Sequence, residues 1–247
     1  SNDMMWHTPE EIEGIKKNMV DVVFYTSPFH RNMMHKEVAA ANPIQKTFVL
    51  ENYFDSNTWP FTQRSKRENV VFGKLSRDDF NKFSDNFPVF YEQVTSGLNC
   101  HFSIMGWSDK IGKKYRWYEF DERWSLYAPN AMPTMDWLQE IDVFLYNCNH
   151  KFIENQSRAI IESQLSGAPV IAPNKWNFPN MIENNVSGFV WNNLEEAREQ
   201  AKEICDYDIR MKMGKMASEM TRDKWCNTHL SIRKWETALE TANKKVE

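Results

Sequence analysis

Two carboxylates, Glu154 and Glu162, stand eight residues apart around the start of a helix-period segment. Glu154 falls in the loop that follows an apolar run ending at Tyr146. Glu162 falls about a turn and a half inside the segment, where Ile160, Ile161 and Leu165 supply the face that packs. Between the two lies a helix N-terminus, whose unpaired N–H groups and positive dipole end favour an anion such as a diphosphate. Carboxylates on either side of an anion site suit a ligand with hydroxyls at both ends and phosphates in the middle, which is the make-up of a nucleotide-sugar. Spacing alone does not decide the matter. Glu195 and Glu203 show the same separation inside a charged helical stretch, and a solvated helix face accounts for them.

Other chemistry-bearing residues carry less. His30 and His35 are five apart, a poor spacing for one helical face, so no metal pair is expected and no metal or cofactor is assigned. His150 sits in the loop before Glu154, where it either lines a cleft or is an ordinary loop histidine. Met211, Met213, Met216 and Met220 have helical spacing and read as packing. The cluster Tyr115, Trp117, Tyr118, Phe120, Trp124 and Tyr127 reads equally as a stacking surface for a sugar or partner and as packing in an edge insertion.

The elements that must hold these residues form a regular series. Apolar runs bounded by turn residues alternate with helix-period segments, the pattern of βα units on a parallel sheet. Strands are expected at 20–27, 47–50, 69–73, 100–106, 142–146, 169–172 and 188–191. Helices are expected from Pro28, within 78–95, and at 134–140, 157–166, 194–205, 207–220 and 221–243. Gly167 is placed to end the fourth of these in a left-handed conformation. The polar, aromatic stretch from Glu51 to Pro60 reads as a connector. The expected domains are residues 1–58, residues 59–220 as a doubly wound α/β domain, and a C-terminal helix over 221–247. In such a sheet ligands bind at the carboxyl ends of the strands.

Composition excludes several classes. The chain has only 8 glycines, and the nearest pair, Gly106 and Gly112, leaves no room for a G-x-G-x-x-G fingerprint or a G-x-x-x-x-G-K-[ST] loop. A formal charge of -4 gives no basic footprint, so no nucleic-acid partner is expected. No apolar run approaches a membrane span, and the opening Ser1-Asn2-Asp3 does not read as a secretory signal. Cys100, Cys148, Cys205 and Cys226 are widely spaced without a C-x-x-C pair, which suits a reducing compartment and a cytoplasmic location.

The stretch from Glu154 through Glu162 to Leu165-Ser166-Gly167-Ala168-Pro169-Val170-Ile171-Ala172 resembles the donor-domain signature of retaining glycosyltransferases of the GT-B fold, especially glycosyltransferase family 4. That signature runs strand, E-G-F-G, helix, second Glu, then A-x-G-x-P-V-(V/I)-A. Further pieces follow in the same order. Val49 to Asp55 looks like the interdomain V-I-P-N-G-V-D, and Val71-Phe72-Gly73-Lys74-Leu75 looks like V-G-R-L. Ile104-Met105-Gly106 is similar to the next strand and glycine turn, Trp137 to Leu145 to the short helix and strand, and Asn184 to Val190 to N-G-x-x-G-(L/F)-L-V. The likeness spans roughly residues 48–192.

By this resemblance Glu154 hydrogen-bonds the transferred sugar, Glu162 the ribose hydroxyls, and Lys74 offsets diphosphate charge next to Gly73. Asn130 lies where relatives form the base pocket. The implied donor is a nucleoside diphosphate sugar and the acceptor is unknown. Three departures stand out. Asn155-Gln156-Ser157 replaces G-F-G, so side chains can crowd the phosphates, or Ser157 can cap the helix and donate its hydroxyl. Arg158 can add positive charge there or pair with Glu162 at i,i+4. Asp79 occupies the position of a family lysine, for which Arg77 or Lys82 can substitute. Thirdly, roughly 45–50 residues precede the connector, so the amino-terminal domain of the resemblance is reduced here, or supplied by missing sequence or a partner chain. The alternatives left open are a non-catalytic nucleotide-sugar-binding or assembly module and a nucleotide-sugar epimerase of the same fold.

Overall fold

The computed structural model describes residues 5–243; Ser1-Asn2-Asp3 and the end of the expected C-terminal segment lie outside the described residues. The chain forms two compact units. One contains the residues up to Asp55, Ile153–Gln156 and the residues from Asp223 onward; the other contains Ser56–Phe152 and Ser157–Arg222.

The first unit begins with α1 (Pro9–Lys16), entered through a capping box in which Thr8 Oγ accepts from the Glu11 N–H and the Glu11 carboxylate accepts from the Thr8 N–H. Then come β1 (Val22–Tyr25), α2 (Pro28–Ala41) and β2 (Lys46–Val49). Helix α2 opens at Pro28 as the sequence predicts. Proline needs no N–H partner there, and Ser27 Oγ accepts from the His30 N–H at 3.0 Å. Strands β1 and β2 pair in parallel, with Phe24 opposite Phe48.

The second unit runs through β3 (Val70–Leu75), α3 (Phe87–Val94), β4 (Cys100–Met105), α4 (Asp109–Lys114), β5 (Trp124–Tyr127), α5 (Thr134–Glu140) and β6 (Val143–Leu145). It continues through α6 (Arg158–Ser166), β7 (Val170–Pro173), α7 (Phe178–Met181), β8 (Gly188–Trp191), α8 (Leu194–Ile204) and α9 (Tyr207–Trp225), whose last turn belongs to the first unit. The final helix, α10 (Thr228–Asn243), lies in the first unit and stacks Trp235 on Phe24 of β1, ring centroids 5.2 Å apart.

All six strands of the second unit are parallel, in the order β5-β4-β3-β6-β7-β8. The chain winds outward from β3 to one edge, then returns to β6 and winds to the other. The crevice between the carboxyl ends of β3 and β6 is therefore the switch point where such sheets take ligands. Phe72, Phe102, Ile104, Val143, Leu145 and Ile171 are buried in the sheet, and Phe87 and Tyr91 of α3 cover it. Burial on both faces is why these strands read as apolar runs.

A buried arginine ties the helices behind this sheet. Arg64 donates from Nε to Ile141 O (2.8 Å), from Nη1 to Ser166 O (2.7 Å) and Thr62 O (2.8 Å), and from Nη2 to Leu138 O (2.8 Å). It thus satisfies carbonyls at the C-terminal ends of α5 and α6, which have no partner within their helices. Burial pushes its pKa down to about 10, so it remains charged at neutral pH. Gly167 ends α6 at φ 88°, as its place in the sequence predicts, and an added Cβ would lie 2.6 Å from the Phe61 ring.

Several expected boundaries are corrected. The helix expected within 78–95 is a 3-10 turn, Phe80–Lys82, and then α3, because Ser84-Asp85-Asn86 breaks the first and Pro88 starts the second. Helix α9 runs on to Trp225, and the last helix starts only at Thr228, where Asn227 Oδ1 accepts from the Leu230 N–H. Trp124–Tyr127, part of the aromatic cluster, is edge strand β5. Trp124 packs 4.2 Å from the Phe102 ring and Tyr115 is fully buried, so the cluster is mainly packing, with Trp117 left exposed. Among the described residues no helix is long and apolar enough to cross a membrane.

Candidate functional site

Lys74 stands next to last in β3, at the switch point. A lysine after a strand is ordinarily solvated, but this one is fully buried. Its Nζ donates to Asn147 O, just beyond β6, at 2.8 Å, and lies 4.2 Å from the centre of the Tyr146 ring and 5.3 Å from that of Phe83. A buried ammonium needs such partners to offset lost hydration. The loop that receives it is itself fastened. Asn147 Nδ2 donates to Ser84 Oγ at 3.1 Å, Asn149 Nδ2 donates to Asp85 Oδ1 at 3.0 Å, and the Tyr91 hydroxyl donates to Leu145 O. Asn147 and Tyr146 escaped the sequence reading. The available signal was their position, directly after the strand that pairs with the one bearing Lys74.

Gly73, beside it, has a packing role: an added Cβ would lie 2.5 Å from Ile141 Cγ2 and 2.9 Å from the Trp137 ring. Arg77 is exposed in the turn after β3, and its side chain makes no hydrogen bond or ion pair among the described residues. Asp79 caps the 3-10 turn by accepting from the Asn81 N–H, and Lys82 lies 4.0 Å over the Phe152 ring. Asn130 is exposed in the loop after β5 and takes a left-handed conformation, φ 59°. Beside the loop after β6 a groove of about 420 Å³ is lined by Asp85, Asn147, Cys148, His150 and Trp191, among others, and neither Lys74 nor Glu162 is among its lining residues.

Helix α6 positions the second carboxylate. Ser157 occupies its N-cap position, but its hydroxyl makes no capping bond, so of the two alternatives open for this segment the capping one is not met. The positive end of the α6 dipole lies at this turn, which favours an anion there. Glu162, one turn further on, is buried, and burial raises its pKa while Arg158 pulls the other way. The Arg158–Glu162 pair forms at 3.1 Å, with the guanidinium side chain 66% exposed. Among the described residues no group of three His, Cys, Asp or Glu is arranged to hold a metal ion.

The three residues before Ser157 belong to the first unit. Glu154 is buried. Asn155 is committed to the turn between β1 and α2: its Nδ2 donates to Thr26 Oγ and its Oδ1 accepts from Ser27 Oγ. Gln156 Oε1 accepts from the Asn52 N–H at 2.9 Å, while its Nε2 is a buried donor with no protein partner. The side chains that stand where the resemblance has glycine and phenylalanine thus anchor the segment, and one amide donor is left over.

No protein-family profile matches the sequence, and no curated protein does. Solved structures match closely in shape. A Staphylococcus aureus TarM variant bound to fondaparinux, alpha-GlcNAc-glycerol and UDP superposes with TM-score 0.73 at 19% identity, over 95% of this chain and 46% of that one. HepE from Anabaena, bound to UDP-glucose, gives TM-score 0.71 at 15% identity, over 94% of this chain and 70% of that one. The C-terminal domain of a Francisella tularensis glycosyl transferase group 1 family protein, LpcC, is covered in full by 71% of this chain, with TM-score 0.53 and 12% identity. The chain therefore has the fold of GT-B glycosyltransferases, and it spans about half the length of TarM.

Proposed function

We propose that the protein binds a nucleoside diphosphate sugar at the carboxyl edge of the six-stranded sheet and transfers its hexosyl group, with retention, to an acceptor hydroxyl. The observation that carries this reading is Lys74, a fully buried cation at the switch point of the sheet. Diphosphate leaving groups depart more readily when their developing charge meets a preorganised cation. Lys74 takes that role, helped by the positive dipole end of α6, with Arg158 and Arg77 as further positive charge. Glu162 accepts the ribose hydroxyls, and Glu154, four residues before α6 in the chain, positions the transferred sugar. Ser157 and the Gln156 amide contribute donors, and Asn130 borders the base. UDP and UDP-glucose bound to TarM and HepE support this donor class.

Calorimetric titration with UDP-, GDP- and ADP-sugars tests the reading, with Glu162→Ala as control. Binding of one donor, lost in the variant, supports it; no binding at millimolar donor refutes it. A donor-binding module without turnover is favoured by one observation: Asn155 and the Gln156 carbonyl are spent on anchoring bonds. Release of free nucleotide from the bound donor distinguishes the enzyme from the module.

A further inference from the structure

The groove beside the loop after β6 is built wholly from the second unit, and its volume of about 420 Å³ falls within the range of small-ligand sites. Helix α3, the loops after β6 and β7, and the junction of β8 with α8 meet there. One part of its wall is aromatic. Trp191, the last residue of β8, is half-buried, and its ring lies 5.3 Å from that of buried Phe90. The rest is rich in amides. Asn147 and Asn149 are committed to Ser84 Oγ and Asp85 Oδ1, which fastens the loop. Asn86 and Gln93 are exposed, and their side chains make no hydrogen bond among the described residues; the same holds for His150. Asn86 stands at the N-cap position of α3, where an asparagine ordinarily caps, yet its side chain makes no capping bond.

An amide presents a donor and an acceptor side by side. A sugar hydroxyl, which both gives and accepts a hydrogen bond, matches it, and the apolar C–H face of a sugar ring packs on an aromatic ring. Charge narrows the class further. The groove carries one carboxylate, Asp85, and one ammonium, Lys175. Lys114, 2.9 Å from Asp85, holds that carboxyl below the usual range, so it stays ionised at neutral pH. An ionised Asp85 accepts from hydroxyls and repels phosphates and carboxylates. Asp85, Asn86, Gln93, His150 and Lys175 are all exposed, so the groove is open along its rim, which suits a chain of hydrated rings better than an enclosed flat base.

We propose that this groove is a binding site for a neutral glycan, with a sugar ring packed on Trp191 and hydroxyls bonded by Asn86, Gln93 and His150. Neither Lys74 nor Glu162 lines it, so the inference does not rest on the nucleotide-sugar reading. It is tested on the full chain by titrating maltotriose, cellotriose and chitotriose, with uridine for comparison, and following the Trp191 indole and the Asn86 and Gln93 side-chain amides by NMR. At least one trisaccharide is expected to shift these signals and to bind with Kd of about 1–10 mM. Trp191→Leu is expected to weaken binding about tenfold. Because that ring also packs on Phe90, Gln93→Ala and His150→Ala give a second reading. Neither side chain has a hydrogen bond to lose, so Tm should stay unchanged while each variant lowers affinity about threefold. Binding should persist in Glu162→Ala, which separates this groove from the donor site. No shift at these residues with any trisaccharide at about 50 mM, uridine bound more tightly than every trisaccharide, or affinity unchanged in all three groove variants would overturn the proposal.

Discussion

Replacing Arg64 with methionine is expected to destabilise the second unit far more than its distance from the carboxyl edge of the sheet suggests. Methionine matches much of the stem but offers no donor. The carbonyls of Leu138 and Ile141, which the guanidinium meets at 2.8 Å, are then left without that partner, while Ser166 O keeps the Thr62 N–H at 3.0 Å. Each such loss costs about 1–2 kcal/mol, or about 2–4 kcal/mol for the two. Removing a desolvated cation returns part of this, leaving a net loss of about 2–3 kcal/mol. For a unit of this size that lowers Tm by on the order of 5–10 °C. Tryptophan fluorescence during thermal or urea unfolding reads the change. Arg64→Lys should recover little of it, because one ammonium cannot span carbonyls from two helices and the intervening loop. A Tm within about 3 °C of the parent, or full rescue by lysine, would refute the idea that this arginine clamps the ends of α5 and α6.

Two further outcomes are expected. Because burial lifts the Glu162 carboxyl above its ordinary value of 4.5, the folded state holds that proton more tightly than the unfolded one. This group therefore subtracts stability as pH rises from the unfolded value through the raised one. Donor binding needs the ionised form, so affinity should fall as pH drops from neutrality, beginning above 4.5, and Glu162→Gln should abolish that dependence in calorimetry run at stepped pH. Asn155→Gly, which restores the residue type of the resemblance, should destabilise the first unit by about 1–3 kcal/mol in urea melts through loss of the bonds to Thr26 and Ser27; an unchanged midpoint would show those bonds to be dispensable.

The sheet is legible in the sequence where burial on both faces leaves continuous apolar runs, as at Val70-Val71-Phe72 and Val143-Phe144-Leu145. Strand β5 is not, because Trp124-Ser125-Leu126-Tyr127 is a four-residue edge strand set among other aromatics. Glu162 and Gly167 are legible because both positions follow from helical geometry alone. Lys74 announces a charge but not its burial, which depends on Phe83 and Tyr146 arriving from other elements. Asn155 reads as a loop residue with nothing to mark its role, since its partners Thr26 and Ser27 lie 129 and 128 residues away. Local pattern carries local geometry; these assignments are made by tertiary contacts.

The donor-site claim is tested most directly by mapping backbone amide shifts on the full chain during titration with UDP, and with GDP and ADP in parallel. One of them should shift Lys74 to Ser76 and the first-turn amides Arg158, Ala159 and Ile160, with the shifts lost in Glu162→Ala. Shifts absent for all three nucleotides, or confined to residues away from the end of β3 and the start of α6, would contradict it.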